Sequence, residues 1–72
     1  VTAAFGQIGK PAVAPLIAAL DDDDWRIRRG AAAALANIGD PGSVDALIRA
    51  LDDAQEGVRE KAREALGSIR KT

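Results

Sequence analysis

The segment Leu16-Ile17-Ala18-Ala19-Leu20-Asp21-Asp22 returns, with one residue changed, as Leu47-Ile48-Arg49-Ala50-Leu51-Asp52-Asp53. No other feature narrows the fold as much, because self-similarity at a fixed period of about 20–50 residues is the signature of stacked repeats. The offset from Leu16 to Leu47 is 31 residues. It also carries Ile27-Arg28 onto Val58-Arg59, Ala31 onto Ala62, Ala34-Leu35 onto Ala65-Leu66 and Ile38 onto Ile69. Counting backwards, Ile38-Gly39-Asp40-Pro41 falls on Ile8-Gly9-Lys10-Pro11 at an offset of 30, and Leu35 falls on Phe5. The one-residue difference sits in the connector, at Gly42 and Ser43, where insertions are best tolerated.

Each unit resolves into two helices. The first, from about Pro11 to Leu20, carries Val13, Leu16, Ile17 and Leu20 at i, i+3, i+4, i+7, and its copy carries Val44, Leu47, Ile48 and Leu51. Pro11 and Pro41 suit a first helical turn, where a missing N–H is harmless, and Pro15 is tolerable only near a helix start. The second helix places Ile27, Ala31, Ala34, Leu35 and Ile38 on one stripe, repeated as Val58, Ala62, Ala65, Leu66 and Ile69. Asp22 and Asp53 stand where they could N-cap these helices, with Glu56 completing a capping-box spacing. Gly9 and Gly39 stand where a left-handed C-cap is needed.

The expected organisation is a single all-α array: a partial unit over 1–9 (second helix only), then units over 10–39 and 40–72. Ala31 to Ala34 leave little side chain between backbones, so the units are expected to approach closely through their second helices. One helix pair cannot cover its own apolar face, and about three units are needed for independent stability. With roughly two and a half, an apolar end is expected, at Val1, Ala4, Phe5 and Ile8 or at Leu66 and Ile69, inviting self-association or a missing neighbour. Val1 to Ile8 reads as the second half of a helix, which fits a piece of a longer array.

The elements Pro-Leu-Ile-x-x-Leu-Asp-Asp at 15–22, Ile-Arg at 27–28, Ala-Ala-x-Ala-Leu at 31–35 and Ile-Gly-Asp-Pro at 38–41 resemble HEAT repeats of the short, phycobilisome-lyase-like type. The resemblance spans essentially the whole chain. It implies a right-handed α-solenoid of antiparallel helix pairs, with second helices lining a concave face and first helices a convex one. It also implies that Arg28 and Arg59 form a ladder between units with aspartates such as Asp40. Relatives of this type include chromophore lyase subunits, assembly factors and scaffolds, so the resemblance speaks to fold more than to function. A metal-dependent hydroxylase branch uses His-Glu pairs on such helices, and this chain has no histidine.

Composition removes most chemistry. With no cysteine and no histidine, there are no disulfides, no thiolate or imidazole metal ligands and no imidazole general base. No carboxylate pair stands out as an acid and base, so the chain reads as a non-enzyme without a cofactor. Asp21 to Asp24 departs from a calcium loop, since Arg26 and Ala32 stand where glycine and glutamate belong, and helix capping is the better reading. No metal site is expected. No run reaches the ~18 apolar residues of a spanning helix and no leader opens the chain, so a cytoplasmic protein without membrane contact is expected.

Excluding the apolar stripe leaves the positions expected on the concave face: Trp25, Arg26, Arg29, Ala33 and Asn37 on one second helix, and Glu56, Glu60, Glu64 and Ser68 on the next. Trp25, the lone tryptophan, is either an anchor for a partner or packs over the aspartate-rich turn or Arg29. Arg26 and Arg29 are expected to face Glu56 and Glu60, each surface pair contributing no more than ~1 kcal/mol. The expected function is a scaffold binding a protein partner through this face. One alternative is a substrate-holding subunit of a phycobilin lyase-like enzyme. The other is a nucleic-acid-binding module, which the net charge of -1 and the three neighbouring glutamates oppose.

Overall fold

The computed structural model describes residues 10–70. Four α-helices follow one another: α1 (Lys10–Ala19), α2 (Trp25–Ile38), α3 (Val44–Ala50) and α4 (Glu56–Arg70), with a 3-10 turn, Pro41–Ser43, leading into α3. No strand occurs among the described residues. α1 packs on α2, α3 packs on α4, and the two units meet mainly through α2 and α4.

The repeat persists at the level of single hydrogen bonds. Asp22 N donates to Ala19 O and Asp53 N donates to Ala50 O, both at 3.1 Å, so each first helix closes with the same tightened turn. α2 then starts at an Asp24 N-cap whose side chain accepts from Arg26 N. Asp22 and Asp53 are not the caps: each accepts from the backbone two residues on, Asp24 N at 2.8 Å and Gln55 N at 2.9 Å, shaping the turn before the helix. α2 ends on Gly39, at φ 70, whose N–H returns to Leu35 O. That left-handed cap disfavours any residue with a Cβ.

The seam between units is made of small residues. Ala32, Leu35, Val58, Ala62 and Ala65 are all fully buried, which brings the backbones of α2 and α4 together. On α4 the predicted stripe holds throughout: Val58, Ala62, Ala65, Leu66 and Ile69 are buried. Leu66 and Ile69 therefore do not form an exposed apolar end. On α2 the same register behaves differently, with Ile27 at 47% and Ile38 at 38% exposure, and Ala32 buried in their place. Ala34 is half-buried where its copy Ala65 is fully buried, so the difference between the two copies of this stripe runs along the length of α2. The expected apolar end at Val1, Ala4, Phe5 and Ile8 lies outside the described residues, as does the Gly9 cap.

The first helices shift in a similar way. Val13 and Leu20 are buried with Leu16 and Ile17 half-buried, while in α3 Ala46, Leu47 and Ala50 are buried and Ile48 is exposed. The connector contributes to the core too. Asp40 caps the 3-10 turn by accepting from Gly42 N, and the fully buried Ser43 donates its Oγ–H to Asp40 O at 2.7 Å. A buried hydroxyl is tolerated there because it is satisfied.

Candidate partner-binding groove

Arg28 links the units. Its Nε and Nη2 donate to both Asp53 carboxylate oxygens at 2.7 and 3.1 Å, and its Nη1 donates to Asp22 O and Asp23 O at 2.7 and 3.1 Å. The inter-unit aspartate is thus Asp53 and not Asp40, which is occupied in its own turn. Bidentate geometry of this kind is the strong form of ion pair. The Arg28 guanidinium beside it, with help from Gln55 N, holds the Asp53 carboxyl below the usual carboxylate range. Arg59 repeats only the local half of the arrangement, donating from Nη1 to Asp53 O.

Along the adjoining surface, the starts of α2 and α4 enclose two neighbouring clefts. The first, of about 430 Å³, is lined by Trp25 and Arg29 from α2, by Glu56, Gly57, Glu60 and Lys61 from α4, and by Gln55 before it. A Cβ on Gly57 would stand 3.5 Å from Arg29 Cδ and 3.7 Å from Trp25 Cζ3, so both side chains lie over this glycine. Trp25 remains 38% exposed. The second cleft, of about 340 Å³, is lined by Arg26, Arg29, Gly30, Ala33 and Lys61.

The charges pair differently from expectation. Arg26 does not reach across to Glu56; it turns back onto the Asp24 cap, donating from Nε and Nη2 at 3.2 and 3.1 Å. A two-residue spacing at a helix start makes this local partner easier to reach than one on another helix. That bond is the main cause of a lowered Asp24 carboxyl and a raised Arg26 guanidinium. Glu64 pairs with Lys61 at 3.5 Å along α4. Arg29 shares a cleft with Glu56 and Glu60 but makes no ion pair among the described residues.

Of the sequence-predicted positions, the clefts bring together Trp25, Arg26, Arg29, Ala33, Glu56 and Glu60. Asn37 and Glu64 are exposed but line neither, and Ser68 donates a long 3.4 Å bond to Ala36 O at the other end of the seam. Gly30, Gln55, Gly57 and Lys61 were not expected. Of these only Gly57 has neighbours that a Cβ would meet, Arg29 and Trp25, while Gly30 stands open, and nothing in the sequence singled out Gln55 or Lys61. Among the described residues no group of three or more carboxylates is placed to hold a metal ion, and no helix is long and apolar enough to cross a membrane.

Two helix pairs in one register, stacked through small residues and pinned by an arginine–aspartate clasp, define a helical-repeat protein. The family model described as HEAT repeats matches residues 1–67, and the chain belongs to that family. Repeats of this family generally mediate protein–protein interaction. No curated protein matches the chain at a significant level.

Proposed function

We propose that the chain is a protein-recognition module that holds a partner segment in the groove between the starts of α2 and α4, acting in assembly and without catalysis of its own. The observation that carries this reading is Trp25. A tryptophan that lines a groove, keeps more than a third of its surface exposed and stands beside an arginine without an ion pair among the described residues has the chemistry of an interface anchor. The alternation of cations with Glu56 and Glu60 supports a protein partner over a phosphate backbone, which calls for continuous positive charge. The 31-residue unit supports the short, phycobilisome-lyase-like subtype of repeat. Self-association belongs to the same reading, through the flank that exposes Ile27 and Ile38.

The test uses peptides of about twelve residues selected on the immobilised chain from a random display library. Trp25→Ala is expected to leave the far-UV circular dichroism unchanged and to weaken the selected peptides at least about tenfold, the equivalent of ~1.4 kcal/mol. Unchanged affinity on a folded variant sinks the reading. Steeply salt-dependent binding to random duplex DNA in preference to any peptide replaces it with the nucleic-acid one.

A further inference from the structure

The second cleft says what such a partner must carry. We infer that its occupant is a protein segment that sets a single acidic side chain over Gly30, between Arg29 and Lys61, with an apolar side chain about one helical turn away against Trp25. The inference rests on the groove reading above and adds the partner's chemistry to it.

Three observations converge. The cleft is lined by three cations, Arg26, Arg29 and Lys61, and by no carboxylate. Arg26 is already held by Asp24, and Lys61 by Glu64 at 3.5 Å, while Arg29 has no ion pair among the described residues. A guanidinium in that state is an open fork for a carboxylate, which it can bind through two parallel hydrogen bonds. The floor of the cleft is Gly30, in the interior of α2, and a Cβ built there meets nothing within 4 Å. Its φ is not positive, since Gly39 is the one glycine with positive φ among the described residues. Neither packing nor backbone conformation asks for glycine at this position, and glycine in a helix is less favourable than alanine by about 1 kcal/mol. What glycine supplies is open space above the helix backbone, where an incoming group can settle.

The spacing and the sign of the charge follow. Trp25 and Arg29 are four residues apart on α2, about 6 Å along its axis. A partner helix matches that separation with an apolar and an acidic residue at i and i+3 or i+4. Glu56 and Glu60 on the facing wall repel a run of carboxylates or phosphates, so the fit is to one acid within an otherwise neutral or basic segment.

The experiment takes the peptides selected on the whole 72-residue chain and measures their affinity for three variants, Trp25→Ala, Arg29→Glu and Gly30→Gln, by calorimetry. The selected peptides are expected to share one Asp or Glu three or four positions from an apolar residue. Arg29→Glu is expected to weaken them at least about tenfold, and a peptide with that acid replaced by lysine is expected to recover affinity on the Arg29→Glu chain. Gly30→Gln is expected to raise the thermal midpoint while weakening binding several-fold, a combination that a purely structural role for Gly30 does not produce. Peptides that are lost on Trp25→Ala but show no acid, or are unmoved by Arg29→Glu, overturn this inference and leave the groove reading standing. Peptides indifferent to both Trp25→Ala and Arg29→Glu overturn both. Displacement of the peptides by random duplex DNA, lost in Arg29→Glu, assigns the cleft to phosphate and overturns the inference.

Discussion

One guanidinium, that of Arg28, serves two turns at once: its own, through Asp22 O and Asp23 O, and the next unit's, through the Asp53 carboxylate. Because Asp53 has a lower pKa folded than the ~3.9 of an unfolded aspartate, its contribution is complete above the unfolded value. It is lost as the pH falls through the folded one. Stability is therefore expected to decline with acid from about pH 5 downward, and Asp53→Asn to lower the thermal midpoint at neutral pH by several degrees while flattening that decline. Urea titrations at successive pH values check both. Leu35 shows the apolar counterpart. It is fully buried at the seam, so Leu35→Ala is expected to remove about 2–5 kcal/mol, enough to unfold a small domain at room temperature, as circular dichroism would show.

At the level of elements, α1 contains an unfavourable proline. It starts at Lys10, which puts Pro15 beyond the first turn, where no N–H can return to the carbonyl of residue 11. Pro15 is exposed and its copy in the next unit is Ala46, so Pro15→Ala is expected to stabilise the chain by about 1–3 kcal/mol in a denaturant melt. Helix type, order and approximate limits were legible in the sequence because apolar spacing and the glycine and aspartate punctuation act locally. Which face each helix buries was legible only in part. Ile27 and Val58 occupy the same register, yet one is exposed and the other buried, and only the position of the unit in the stack separates them. Arginine partners were misjudged for the same reason. Asp40 and Asp53 look equally suitable in sequence, and it is the closure of each turn that leaves Asp53 facing Arg28. Ser43 reads as a loop residue until the connector folds it inward.

For the whole molecule, the two flanks of the stack differ in chemistry. Among the described residues, Ile27 and Ile38 make one side apolar, whereas on α4 exposed Arg63 and Gly67 stand where α2 has Ala32 and Ala36 and make the other side polar. Replacing Ile27 and Ile38 together by lysine is expected to abolish any concentration-dependent rise in sedimentation coefficient while changing the melting temperature little. A head-to-tail stack of copies would set those isoleucines against arginine, so a symmetric pairing of apolar flanks is the association this test should detect. The small residues along the seam have a mechanical consequence. Alanine against alanine offers few interlocking knobs to resist sliding, so the polar clasp at the start of the helices contributes most to their register, and at the far end the long Ser68–Ala36 bond adds to the packing of Leu35 and Ile69. An array that bends at this joint is therefore expected to pivot beside the clasp, so that its curvature changes while the spacing of Trp25, Arg29 and Gly57 stays nearly constant.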